Sequence, residues 1–72
     1  MSRAQVERTS TLGKILTQIR LEAKMTTKQV SEASNVSSTL ISGYERGVIE
    51  PRYHSLEKVL DVFGYEIEIV RK

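Results

Sequence analysis

The most constraining feature of this chain is the stretch Thr26–Gly47, where two short helix-coding runs are separated by only a few residues. Thr26 can cap the first run, and Gln29 stands at the position a capping box uses. Val30 and Ala33 give that helix, ending near Ser34, an inner side. Asn35 follows, a residue that tolerates left-handed backbone better than most and so suits a tight turn. Ser37 opens the second run, Ile41 and Tyr44 face inward along it, and Gly47 stops it after Arg46. A turn of about three residues leaves two such helices little choice but to cross steeply. Ser31 is the small residue expected where they approach, and Val30, Val36, Ile41 and Tyr44 are the apolar contacts expected to lock them together.

The flanks supply the rest of an all-α domain. Ser10 or Thr11 is the expected N-cap of a first helix, with Leu12, Ile15, Leu16, Ile19 and Ala23 at helical spacing along one face. Residues 1–10 read as a flexible polar arm, with Gln5–Arg8 able to extend the helix. Beyond Gly47, Val48–Arg52 is a loop fixed by Pro51, and His54 or Ser55 starts a further helix with Leu56, Val59, Leu60 and Phe63 on its apolar face. Gly64 ends that helix as a C′ glycine. The period then changes from helical to alternating: Tyr65, Ile67 and Ile69 interleave with Glu66, Glu68 and Val70, the pattern of a half-buried strand over Tyr65–Lys72. The expected organisation is an arm over 1–10, a helical domain over 11–64 and a strand over 65–72.

Composition excludes several function classes. With 72 residues there is room for one domain, and a core of this size supplies only about 3–5 kcal/mol, which makes self-association an expectation. No cysteine is present, and the lone His54 cannot make a zinc site unaided. Paired carboxylates, a Ser/His/Asp set and a phosphate-binding glycine loop are all missing from the sequence, so an enzyme is the weakest reading and no cofactor is expected. Met1–Ser10 lacks the apolar block of a secretory signal, and no run approaches the ~20 apolar residues of a membrane span. A cytoplasmic protein without a membrane partner is the expectation. Net charge is +2, with six Lys/Arg against three Asp/Glu in residues 1–36 and five against six in residues 37–72. Any anionic partner must therefore meet a shaped surface with a few placed cations, not a basic tail.

The run TTKQVSEASNVSSTLISGYERG resembles the Xre/Cro-type, lambda-repressor-like helix-turn-helix family. The likeness extends to LGKILTQIR before it and PRYHSLEKVLDVFG after it, covering about Leu12–Gly64. It implies a four- or five-helix bundle whose second short helix enters the major groove of DNA, in a homodimeric transcriptional regulator, a repressor, acting on a palindromic operator. By position, Ser37, Ser38, Thr39, Leu40, Ser42 and Gly43 are the base-reading candidates, Leu40 through contact with a thymine methyl. Thr27, Lys28, Arg20, Arg46, Arg52 and Tyr53 are the phosphate candidates, joined by free N–H groups at helix starts. The resemblance also pairs Arg20 with Glu45 between the first helix and the end of the recognition helix.

Two departures bear on specificity. Family members often carry Gln, Arg or Lys where this chain has Ser38 and Gly43, so strong bidentate readout is missing and DNA shape is expected to matter more. Gly43 costs about 1 kcal/mol of helix propensity relative to alanine, and close approach of its backbone to DNA is one reading of it. The alternative to a DNA-binding regulator is a protein-interaction module that uses the same surface without DNA.

A lone strand over Tyr65–Lys72 cannot satisfy its own backbone groups. The favoured expectation is that it pairs with its copy in a second subunit, with Tyr65, Ile67 and Ile69 as the dimer strand, setting two recognition helices about one DNA turn, ~34 Å, apart. This layout resembles that of HipB-like antitoxins, which implies a toxin protein as a further partner.

Overall fold

A computed structural model describes residues 3–68 and 71, with side chains described from Thr11 onward. Four helices follow one another: α1 (Arg3–Glu22), α2 (Thr27–Ser34), α3 (Ser38–Arg46) and α4 (Tyr53–Val62). α1 packs mainly on α3, while α2 packs on both α3 and α4. The buried core is Leu16, Val30, Val36, Ile41, Tyr44 and Val59, with Leu12, Met25, Ile49, Leu56, Leu60 and Phe63 packed around it.

Local chemistry sets most helix ends. Thr26 and Gln29 form the reciprocal capping box: the Gln29 N–H donates to Thr26 Oγ1 at 3.1 Å, and the Thr26 N–H donates to Gln29 Oε1 at 2.8 Å. Asn35 closes α2 in the left-handed region at φ 63°, and Gly47 closes α3 at φ 75°. Ser37 caps α3 by accepting from the Thr39 N–H at 3.2 Å. After α4, Gly64 lies at φ 82° and its N–H reaches the Asp61 carbonyl, while the Tyr65 N–H reaches Leu60, which together make a Schellman closure. α1 ends with the same bonding pattern, but there the left-handed residue is Lys24, at φ 58°.

The helix bounds, inner faces and tail differ from the sequence reading in five places. α1 begins at Arg3, so Ser10 and Thr11 lie inside the helix and the expected cap does not form; residues from Arg3 to Ser10 are helical instead of an irregular arm. Ile15 in α1 and Ala23 just beyond it are exposed, and the buried positions of the helix from Thr11 onward are Gly13 and Leu16. In α2 the inner pair is Val30 with Ser34, an i,i+4 pair, and Ala33 faces solvent. Ser34 is tolerated there because its hydroxyl accepts the Val36 N–H at 3.2 Å. α4 starts at Tyr53, earlier than His54 or Ser55, and Arg52 at its N-cap makes no side-chain cap bond. Finally, the described tail residues Tyr65–Glu68 carry no strand; Ile69, Val70 and Lys72 fall outside the described residues.

Candidate nucleic-acid interface

Each side of α3 has a different job. Ile41 and Tyr44 are buried in the core, which orients the helix about its own axis. Glu45 faces α1, where Arg20 donates from Nε to Glu45 Oε2 at 2.7 Å and from Nη2 to Oε1 at 3.0 Å. The remaining nitrogen, Nη1, donates to the Met25 carbonyl at 2.9 Å, so one guanidinium ties together α1, the α1–α2 turn and the end of α3. The side chains are only 16% and 10% exposed, and bidentate geometry makes this the strong form of ion pair. The hydrogen bond to Glu45 holds Arg20 above the usual guanidinium pKa against the opposing effect of burial, with charge attraction to Glu45 adding to it. A raised pKa in the folded state gives stability that is complete below the unfolded value and lost only as pH rises through the folded one, so Arg20 introduces no pH dependence in the neutral range.

The pairing of Arg20 with Glu45 that the family resemblance implies is thus present. Each guanidinium nitrogen has one partner within the protein, and Nη1 and Nη2 each keep a second N–H, so the tie between helices is compatible with the phosphate contact expected of Arg20.

Opposite this locked side, Ser38 and Thr39 are exposed, Ser42 is half-buried and Arg46 is exposed. Spacings of four residues from Ser38 to Ser42 and from Ser42 to Arg46 put them on one open stripe. Ser37 is exposed at the start of that stripe, although its hydroxyl is engaged as the cap. Leu40 stands at the edge next to Tyr44, 38% exposed. Arg52 and Tyr53 are exposed at the head of α4, Lys28 is exposed and Thr27 half-buried at the head of α2. His54 is solvated, with Glu57 3.6 Å away in a surface contact of little energetic weight.

Gly43 is the base-reading candidate that the structure places elsewhere. It is buried, and its covering is Ile49 from the α3–α4 loop. A methyl added at Gly43 would meet Ile49 Cδ1, Cγ1 at 2.7 Å and Cβ at 3.1 Å. The close approach that glycine permits here is to the protein's own loop.

Two positions that organise the site escaped the sequence reading. Gly13 faces α3 so closely that an added methyl would stand 2.5 Å from the Glu45 carbonyl oxygen and 2.8 Å from that of Tyr44. Its only sequence signal is a glycine inside an otherwise good helical run. Ile49 had none, because a single apolar residue in a loop is ordinary.

Four helices with α2 and α3 joined by a tight Asn35 turn, and α3 held rigidly with a polar side left open, define a helix-turn-helix DNA-binding domain. The family model described as Helix-turn-helix matches residues 16–70, most of the chain. The protein belongs to that family, of the Xre and lambda-repressor-like kind, and is a DNA-binding regulator in the general sense the family defines. Comparison with curated proteins and with solved structures finds no match. No helix among the described residues is long and apolar enough to cross a membrane.

Proposed function

We propose that this protein is a homodimeric repressor that inserts the open stripe of α3 into the major groove of a palindromic operator. The observation that carries the reading is the contrast between the two sides of α3. Ile41, Tyr44 and the Arg20–Glu45 pair fix one side, while Ser38, Thr39 and Ser42 present hydroxyls on the other. Ser37 supports this as the cap that shapes the tip, and Leu40 offers an apolar contact to a thymine methyl at the edge. Phosphates are gripped by Lys28, Arg46, Arg52 and Tyr53 and by the N–H groups at the helix starts near Thr27. Hydroxyls bond to several bases, so direct readout is modest and the sequence-dependent shape of the operator contributes to specificity.

Dimerisation is assigned to the tail from Tyr65, whose alternating pattern continues through Ile67 to Ile69. Pairing two tails satisfies backbone groups that one chain cannot. The same layout supports an antitoxin role, in which the regulator also holds a toxin; co-purification of a second protein encoded beside it, when expressed from the native operon, tests that part.

Replacing Thr39 or Ser38 with glutamate tests the groove face. Fluorescence anisotropy on the bound operator should show loss of binding, with the helical circular dichroism unchanged. Retained binding rejects this face. A protein-interaction module is favoured by one observation, the absence of Arg, Lys or Gln among Ser38, Thr39 and Ser42. Salt separates the two: binding through about six phosphates falls steeply as salt rises, and a helix-groove protein contact depends on it much less.

A further inference from the structure

We infer that Gly43 is a positioning residue, the seat for Ile49, and that this seat holds the α3–α4 loop where Arg52 and Tyr53 meet the DNA backbone. The inference rests on the DNA-binding reading above and assigns Gly43 a part that no base contact gives it.

Three observations meet at this point. First, Gly43 is buried, and the space a side chain would need is filled by Ile49. Second, the Gly43 carbonyl accepts both the Val48 N–H at 3.0 Å and the Ile49 N–H at 3.2 Å, so the loop is bonded by its backbone to the residue its side chain covers. Third, only Glu50 and Pro51 separate Ile49 from Arg52, and Pro51 removes one backbone freedom from that short span. Ile49 is half-buried and packs against the core, while Arg52 and Tyr53 are exposed just beyond it. A displacement of Ile49 is therefore passed to Arg52 and Tyr53 with little slack to absorb it.

A glycine within a nine-residue helix is otherwise unfavourable, by about 1 kcal/mol relative to alanine. The close seating of Ile49 accounts for it. Cα–H and carbonyl face the isoleucine directly, and any Cβ would push it outward by its Cγ1 and Cδ1 atoms. The obstruction is a side chain, so shortening that side chain should remove it. With Ile49 reduced to alanine, the two nearest of these contacts disappear and the one to Cβ stays at 3.1 Å, which a few tenths of an ångström relieve.

The test is a double-mutant cycle of Gly43→Ala and Ile49→Ala in the full chain, read by operator affinity at several salt concentrations and by the pattern of tolerated bases. Gly43→Ala alone should weaken binding about tenfold and lower the salt slope by about one, the signature of a lost phosphate contact, with base preference unchanged. In the Ile49→Ala background the same substitution should cost nothing further. Thermal melts of all four proteins identify the folded fraction, and the Ile49→Ala background supplies folded material should Gly43→Ala alone unfold. Equal losses in both backgrounds overturn the inference, as does no loss in either. A changed base preference with an intact salt slope also overturns it, since that would return Gly43 to the groove face. If the wild-type chain binds no DNA under any condition, the DNA-binding reading fails, and this inference with it.

Discussion

Consider Gly13→Ala. In an exposed helix interior this change stabilises by about 1 kcal/mol, because alanine is the better helix former. Here the new methyl would stand 2.5 Å and 2.8 Å from two carbonyl oxygens and 3.0 Å from a carbonyl carbon of α3, where ordinary contact begins at 3.4 Å. α1 must retreat from α3 by roughly 0.9 Å, for the opposing atoms are backbone and cannot rotate aside. Overpacking of this kind costs about 1–3 kcal/mol, and rigid neighbours place it at the upper end. Retreat also strains the Arg20–Glu45 pair seven residues along the same helix, whose bonds are 2.7 and 3.0 Å long. Subtracting the propensity gain leaves a net loss of about 2 kcal/mol. For a domain this small each kcal/mol moves Tm by about 4–8 °C, so a fall of roughly 8–16 °C is expected. Circular dichroism melts at two protein concentrations measure it and expose any contribution from association. An unchanged or higher Tm would refute the close α1–α3 crossing.

Other substitutions probe separate parts of the frame. Glu45→Ala leaves the Arg20 guanidinium largely buried without its partner and should cost about 3 kcal/mol in urea titrations; a cost under about 1 kcal/mol would demote the pair to a surface contact. Lys24→Gly relieves a left-handed non-glycine residue at the end of α1 and should stabilise by about 0.5–1 kcal/mol in the same titrations, provided no contact of the lysine is lost. Ending the chain after Gly64 should give monomers by sedimentation and much weaker operator binding, and a persisting dimer would move the interface away from the tail.

Features governed by neighbouring residues were legible in the sequence. Thr26 with Gln29, Asn35, Ser37, Gly47 and Gly64 all end or start helices where the residue types said they should, because capping chemistry acts within one turn. The core residues Leu16, Val30, Val36, Ile41, Tyr44 and Val59 were likewise evident from period and spacing. What escaped depends on how close distant segments come. Nothing local distinguishes Gly13 under the Glu45 carbonyl from a helix defect, or Gly43 beneath Ile49 from an open groove residue. Ala33 and Ser34 show the same limit: the apolar Ala33 is the expected inward residue, whereas Ser34 is the buried one, its hydroxyl accepting the Val36 N–H. Arg20 is recognisable through its family pairing with Glu45, yet only the geometry reveals the third bond, to the Met25 carbonyl.

The central proposal is that α3 presents its hydroxyl stripe to DNA from a two-fold dimer. Selection of bound sequences from a random duplex pool tests this most directly. A two-fold dimer should enrich a palindrome whose half-sites lie about one helical turn, ~34 Å, apart. A pool that shows no enriched motif after repeated rounds would contradict it.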